Sequence, residues 1–201
     1  MDKKNKIQYG LTNVHYAVVT ETTTEGVTKS TYSAPVRWPG AVSISLDPQG
    51  EDTPFYADNI IYDTITGNSG YEAEFECALI PEEIDTEVLG QTKTTDGVIL
   101  ESSEDKKKYI ALLFEFEGDI KKRKMVFYRT MLSRPTVEGK TKEDSVEPTT
   151  NKISMKITPR PDVNVIDGEE RHLIKGYTSA DIDAEAYANW YKKVYEVTPA
   201  A

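Results

Sequence analysis

Cysteine is almost missing from this chain: Cys77 is the only one in 201 residues. No disulfide can form within it, which excludes a secreted scaffold stapled by cystines. Histidine is nearly as scarce. His15 and His172 lie far apart, and neither has a Cys or acidic neighbour at metal-ligand spacing, so no metal site is expected. No serine sits in a nucleophile elbow, no histidine stands near Cys77 to activate it, and no glycine-rich loop is spaced to cradle a phosphate. Long apolar runs are lacking too, so no segment reads as a membrane span. The start, MDKKNKIQYGLTN, carries positive charge but no apolar stretch behind it and is not a signal peptide. Basic residues are in deficit: 24 Lys and Arg face 34 Asp and Glu, a net charge of -10. Such a surplus of carboxylates repels a polyanion and argues against adhesion to nucleic acid.

What the chain does have is strand signal. HYAVVTETT, Val42–Leu46, FYADNIIYDT, YEAEFECAL, TDGVILES, YIALLFEFEG, KMVFYRTMLS and KISMKITP are rich in β-branched and aromatic residues, and Gly, Pro, Asn and Asp separate them. The expected fold is mainly β, an antiparallel sandwich or barrel-like domain, and the length fits one domain over residues 1–201. YIALLFEFEGDIKKRKMVFYRTML reads as a hairpin turning at Gly118-Asp119, with Lys121–Lys124 as a solvated basic turn that discourages edge pairing.

Two helices are expected. Pro81–Gly90 has a proline near its first turn, acids complementing the helix dipole and a glycine stop. Near the C-terminus, Ser179 reads as an N-cap for a longer helix in which Ile182, Ala186, Trp190 and Val194 form a core-facing stripe. Thr20–Pro35 and Arg134–Thr150 read as long polar loops, of a kind usually ordered by a partner. Gly26 is a possible hairpin tip within the first.

The stretch Tyr71–Pro81 poses a sharper problem. Tyr71, Ala73, Phe75 and Cys77 share one face of a strand; Glu72, Glu74 and Glu76 share the other. Neighbours on one face stand about 6.7 Å apart, where two like charges repel by roughly 0.6 kcal/mol in water and about 2.5 kcal/mol at an effective dielectric near 20. The glutamate face must therefore be wet. The spacing of Glu72 and Glu74, or of Glu115 and Glu117, also suits an inverting glycosidase. Any two acids at i, i+2 do so, however, and water denies either the desolvation that holds a proton at neutral pH. A sugar-binding platform of Trp38, Tyr56, Tyr62, Tyr71, Tyr128 and Trp190 is the other alternative, and it would make the chain a monomeric carbohydrate-binding or adhesion module.

Taken together and in order, NKIQYGLTNVHYAVVT, PGAVSISLDPQGEDTPFYADN, GYEAEFECALIP, LFEFEGD and RPTVEGKTKEDSVEPTT resemble the major tail proteins, or tail tube proteins, of long-tailed bacteriophages and prophages of Gram-positive bacteria. The likeness runs from about Asn5 to Pro159. It implies a β-sandwich with a flanking helix, six copies to a ring, and rings stacked into a hollow tube that passes double-stranded DNA without binding it specifically. It implies a virion protein assembled in the host cytoplasm beside the tail terminator, tape measure and tail tip proteins, with no enzyme activity, no cofactor and no membrane partner. Neighbouring sheets would join into one barrel around the channel, while an N-terminal arm of about residues 1–12 and the long loops would reach between rings. The immunoglobulin-like C-terminal domain of some relatives is not expected here. On this reading Glu72, Glu74 and Glu76, with Glu115 and Glu117, are candidates to line the lumen, the alternative being that the row faces the outside of the tube. Thr24, Glu25, Gly26, Val27, Gln49, Glu51, Lys140, Lys142 and Glu143 are candidates for contacts between subunits, within Thr20–Pro35, Pro48–Pro54 and Arg134–Thr150.

Overall fold

A computed structural model describes residues 9–119, 122–137, 139, 141 and 149–197. The β-branched and aromatic runs fold into strands: β1 (Leu11–Thr24), β2 (Val27–Tyr32), β3 (Val36–Arg37), β4 (Ala41–Gln49), β5 (Thr53–Ala57), β6 (Ile60–Ile65), β7 (Gly70–Cys77), β8 (Thr92–Lys93), β9 (Ile99–Leu100), β10 (Ile110–Phe116), β11 (Lys124–Leu132), β12 (Asn151–Ile157), β13 (Asn164–Ile166), β14 (Glu169–Arg171) and β15 (Lys175–Tyr177). All described pairings are antiparallel. The main sheet runs β2-β1-β10-β11-β12-β7-β4, with β3 added to β1 and β15 to β11. Chain order and spatial order differ because β7 and β12, far apart in sequence, lie side by side.

One core fills one side of this sheet. Val14, Tyr16, Trp38, Phe75, Cys77, Leu112, Phe114, Phe127, Ile153 and Met155 meet there. Trp38 stands edge-on to both Tyr16 and Phe75, an arrangement favoured by ring quadrupoles. The helix expected within Pro81–Gly90 forms over residues 82–88 and is wound wide over Ile84–Val88, where Leu89 N–H donates to Ile84 C=O at 2.9 Å. That winding turns Ile84, Val88 and Leu89 into the core together.

A second, smaller core lies on the opposite face of β1, β10 and β11, where Ala17, Ala111, Leu113, Val126 and Tyr128 meet Trp190 and Val194. β10 is therefore buried on both faces, whereas β7 alternates buried with wet. The expected stripe does pack here, Trp190 and Val194 in the core and Ile182 against it. The long C-terminal helix does not form. The helix α1 covers only Ala184–Asn189, and its cap is Asp183 rather than Ser179: the Asp183 carboxylate accepts from Glu185 and Ala186 N–H, both at 2.9 Å. Asp183 itself has extended backbone (ψ 136°), so no helix passes through it from Ser179.

Two further expectations change. Thr20–Pro35 is mostly paired ribbon: β1 and β2 continue in register to Thr24↔Val27, and the chain reverses at Glu25 and Gly26, both with positive φ. FYADNIIYDT is two strands, not one. Asp58 and Asn59 hold φ of 52° and 63°, the values a tight hairpin turn demands and which Asn and Asp tolerate best.

Candidate functional site

The glutamates of β7 face water as their spacing requires, but they do not stand alone. Asp47, Ser45 and Ser43 of β4 lie opposite Glu72, Glu74 and Glu76 on one side. Lys156, Ser154 and Lys152 of β12 lie opposite the same three on the other. Directly paired residues share a face, so the three strands present one hydrophilic surface of four carboxylates and two ammonium groups. Lys152 reaches Glu74 at 3.8 Å, with both side chains about half exposed, a geometry worth little in stability. Glu76 accepts hydrogen bonds from the hydroxyls of Thr150 and Ser43. Those bonds, with Lys152 nearby, hold its carboxyl below the usual range. Beneath this surface Ala73, Phe75, Cys77, Ile153 and Met155 belong to the core. The result is a wall, apolar within and charged without, and its outermost strand β4 has no strand on its far side among the described residues.

Glu115 and Glu117 are not brought to this wall. β11 and β12 separate β10 from β7. Glu115 is half-buried, lies opposite Lys124 and accepts from the Asn13 amide. Glu117 is exposed beside Gly10, whose C=O accepts its N–H at 2.8 Å. Thr24, Glu25, Gly26 and Val27 form the exposed tip of the β1–β2 ribbon. Gln49 and Glu51 are exposed on either side of Gly50. Lys140, Lys142 and Glu143 lie outside the described residues.

Of the aromatics considered as a sugar platform, Trp38, Tyr128 and Trp190 are core, while Tyr56 and Tyr62 are exposed. The latter two belong to a feature that the sequence reading passed over. β5 and β6 pair only with each other among the described residues. Phe55, Tyr56, Ile60, Ile61, Tyr62 and Ile65 are all more than half exposed, from 56 to 70 %. The signal was present: apolar residues flank Asp58-Asn59 on both sides, the pattern of a short hairpin.

Chemically the wall offers water-exposed carboxylates, and no group of three or more His, Cys, Asp or Glu among the described residues is placed to hold a metal ion. No described helix is long and apolar enough to cross a membrane. A family model described as phage tail tube protein matches residues 3–200. No curated protein matches the chain.

Proposed function

Since the chain belongs to the phage tail tube protein family, a family of structural virion components, we propose that it is the major tail tube subunit: hexameric rings of this chain stack into a hollow tube, and the β4–β7–β12 wall faces the lumen. The supporting observation is the wall itself, one face sealed into a core and the other carrying four carboxylates against two ammonium groups. Repeated around a ring, its net negative charge repels passing phosphates, whereas a basic lining would release counterions, bind DNA and stall it. Lys152 and Lys156 moderate this repulsion without reversing its sign.

Assembly also gives the open margins of the sheet a use. β2 and β4 end the path of strands, and exposed edges pair with other chains unless they are covered. A head-to-tail interface whose rotation closes makes a ring. The domain is single over residues 1–201, its role is structural and not enzymatic, and its partners are further copies of itself, then the terminator, tape measure and tip proteins at the tube ends. The tip Thr24–Val27, with Gln49 and Glu51 and the segment holding Lys140, Lys142 and Glu143, meets the neighbouring ring.

Negative-stain microscopy of concentrated protein tests the assembly: rings or tubes are expected, and isolated particles at every concentration defeat it. The same assay on a chain lacking Thr24–Lys29 tests the tip, which loses its role if normal tubes form. Replacing Glu72, Glu74 and Glu76 together by Lys is expected to permit tubes but slow DNA ejection from the particle. An unchanged ejection rate would remove the lumen assignment.

A further inference from the structure

The segment that covers the second core is held differently from the strands beneath it. Residues 184–197 lie across the face of β1, β10 and β11, and of them only Trp190 and Val194 are buried. Their backbone bonds inward. Tyr187 N–H donates to Asp183 C=O at 3.0 Å, Trp190 N–H to Tyr187 C=O at 3.4 Å, and Lys192 and Lys193 N–H to Asn189 C=O at 2.9 and 3.2 Å. The anchors to the body run through side chains. Lys124 Nζ donates to Tyr187 C=O at 2.9 Å and stands 3.8 Å over the centre of the Tyr187 ring. Tyr187 Oη donates to Lys122 C=O at 3.0 Å. Tyr191 stacks on His15 at 4.5 Å, and the Glu196 carboxylate stands 3.9 Å from the Arg160 guanidinium. A strand such as β7 is tied instead along its length, by register with both β4 and β12.

The seam under the segment is also imperfectly made. Tyr32 Oη, Arg160 Nη1, Trp190 Nε1 and Tyr191 Oη are buried with no hydrogen-bond partner among the described residues. All four lie where the segment meets the body. Tyr32 and Tyr191 pack against the second core, to which Trp190 belongs, and the Arg160 guanidinium lies 5.6 Å from the ring centres of Tyr32 and Tyr128. A buried polar group without a partner carries its full desolvation cost, and water admitted to the seam would remove that cost. Two cavities flank Trp190. One of about 610 Å³ is lined by Tyr32, Asn189 and Val194, and one of about 420 Å³ by Tyr128, Leu173 and Ile182. Unfilled space forfeits dispersion contacts along the same seam.

We propose that residues 184–197 form a strap that lifts off β1, β10 and β11 as one unit while the main core stays folded, and that the unpartnered polar groups along the seam bring this opening within reach. Lifting hydrates all four groups, breaks side-chain anchors but no strand pairing, and bares Ala17, Ala111, Leu113, Val126 and Tyr128. Local opening of this kind is drawn from the least tied elements of a fold. The main core keeps its own cover, because Trp38, Ile84 and Val88 belong to the other cluster. The motion belongs to the single chain and does not depend on the tail tube reading.

Hydrogen exchange of the unassembled full chain tests the strap. The N–H groups of Trp190, Lys192 and Lys193 are expected to exchange at least about tenfold faster than those paired in β7 and β12, which open only with the whole fold. Tyr32→Phe combined with Tyr191→Phe removes two orphan hydroxyls and keeps both rings. This variant is expected to slow exchange in the strap about fivefold and to leave β7 and β12 unchanged, whereas in a well-satisfied seam the loss of hydroxyls would leave exchange unaltered or speed it. Lys124→Met removes an anchor, and it is expected to speed exchange in the strap alone and tryptic cleavage after Lys192 and Lys193 severalfold. Strap amides that exchange no faster than β7 and β12 would overturn the proposal. So would a phenylalanine variant whose strap exchanges at the parental rate or faster, or an acceleration by Lys124→Met shared equally by β7 and β12.

Discussion

The β10–β11 and β5–β6 hairpins are written in similar residues and meet opposite fates. The first places Ile110, Leu112 and Phe114 against the main core and Ala111 and Leu113 against the second. The second places Phe55, Tyr56, Ile61 and Tyr62 in water. What distinguishes them is cover. β10 lies between β1 and β11, beneath the C-terminal segment, which is fastened by Lys124 Nζ donating to Tyr187 C=O at 2.9 Å and by Arg160, 2 % exposed, whose guanidinium stands 3.9 Å from the Glu196 carboxylate. β5 and β6 extend past the sheet through a neck where Gly50 crosses Gly67, and no element of the described chain reaches them. An apolar ribbon covered by its own chain stabilises the fold; one left uncovered stores the same driving force for association.

Paired truncations give the largest expected contrast. Phe114→Ala removes a fully buried ring stacked on Phe127 at 5.9 Å and should cost about 3–5 kcal/mol. Phe55→Ala, at an exposed site, should change the stability of the unassembled chain by no more than about 0.5 kcal/mol. Denaturant titration of both variants checks this, and similar losses would mean that the β5–β6 hairpin is covered within its own chain. A smaller effect is expected at the turn of the β5–β6 hairpin. Asn59→Val puts a β-branched residue at φ 63°, at a cost of about 1–2 kcal/mol. The loss should stay local, with faster hydrogen exchange in β5 and β6 and unchanged protection in β10 and β11. Equal acceleration in both hairpins would show that they unfold as one unit.

The smallest effect concerns Asp162, which holds the Arg160 side chain that meets the cover. Burial raises the carboxyl pKa of Asp162, but hydrogen bonds from Arg160 and Ser30 outweigh it and hold the pKa below its ordinary value. The stability this contributes is present above the unfolded pKa and is lost as pH falls through the folded one. Asp162→Asn should therefore flatten the acid side of the stability–pH curve, with little change in slope at neutral pH. An identical acid limb in the two proteins would separate Asp162 from the fastening.

Local chemistry made much of this legible. The alternation of Tyr71–Cys77 set which side chains are buried, because a pleated strand has only two faces, and both Cys77 and the glutamates follow it. Of the turn expected after β10, Gly118 turns as read and Lys121 lies outside the described residues, whereas Lys124 belongs to β11 and its Nζ is bonded to Tyr187 C=O rather than solvated. The Asp58-Asn59 turn was equally readable, yet one continuous apolar run hid it. Lys152 and Lys156 were visible too, but not their place beside Glu76 and Glu72, because that depends on a pairing between strands some 75 residues apart in the chain.

By itself the sequence determined the β class, the two-faced strands, the acidic balance and the family likeness, since each depends on composition or on neighbours a few residues apart. Only the tertiary structure decided that the acidic row sits within a mixed wall, that Glu115 and Glu117 lie elsewhere, that the C-terminal helix stops at Asn189, and that one apolar ribbon is covered while its counterpart is bare. Cover is a relation between distant segments, and no local pattern of residues encodes which of them will meet.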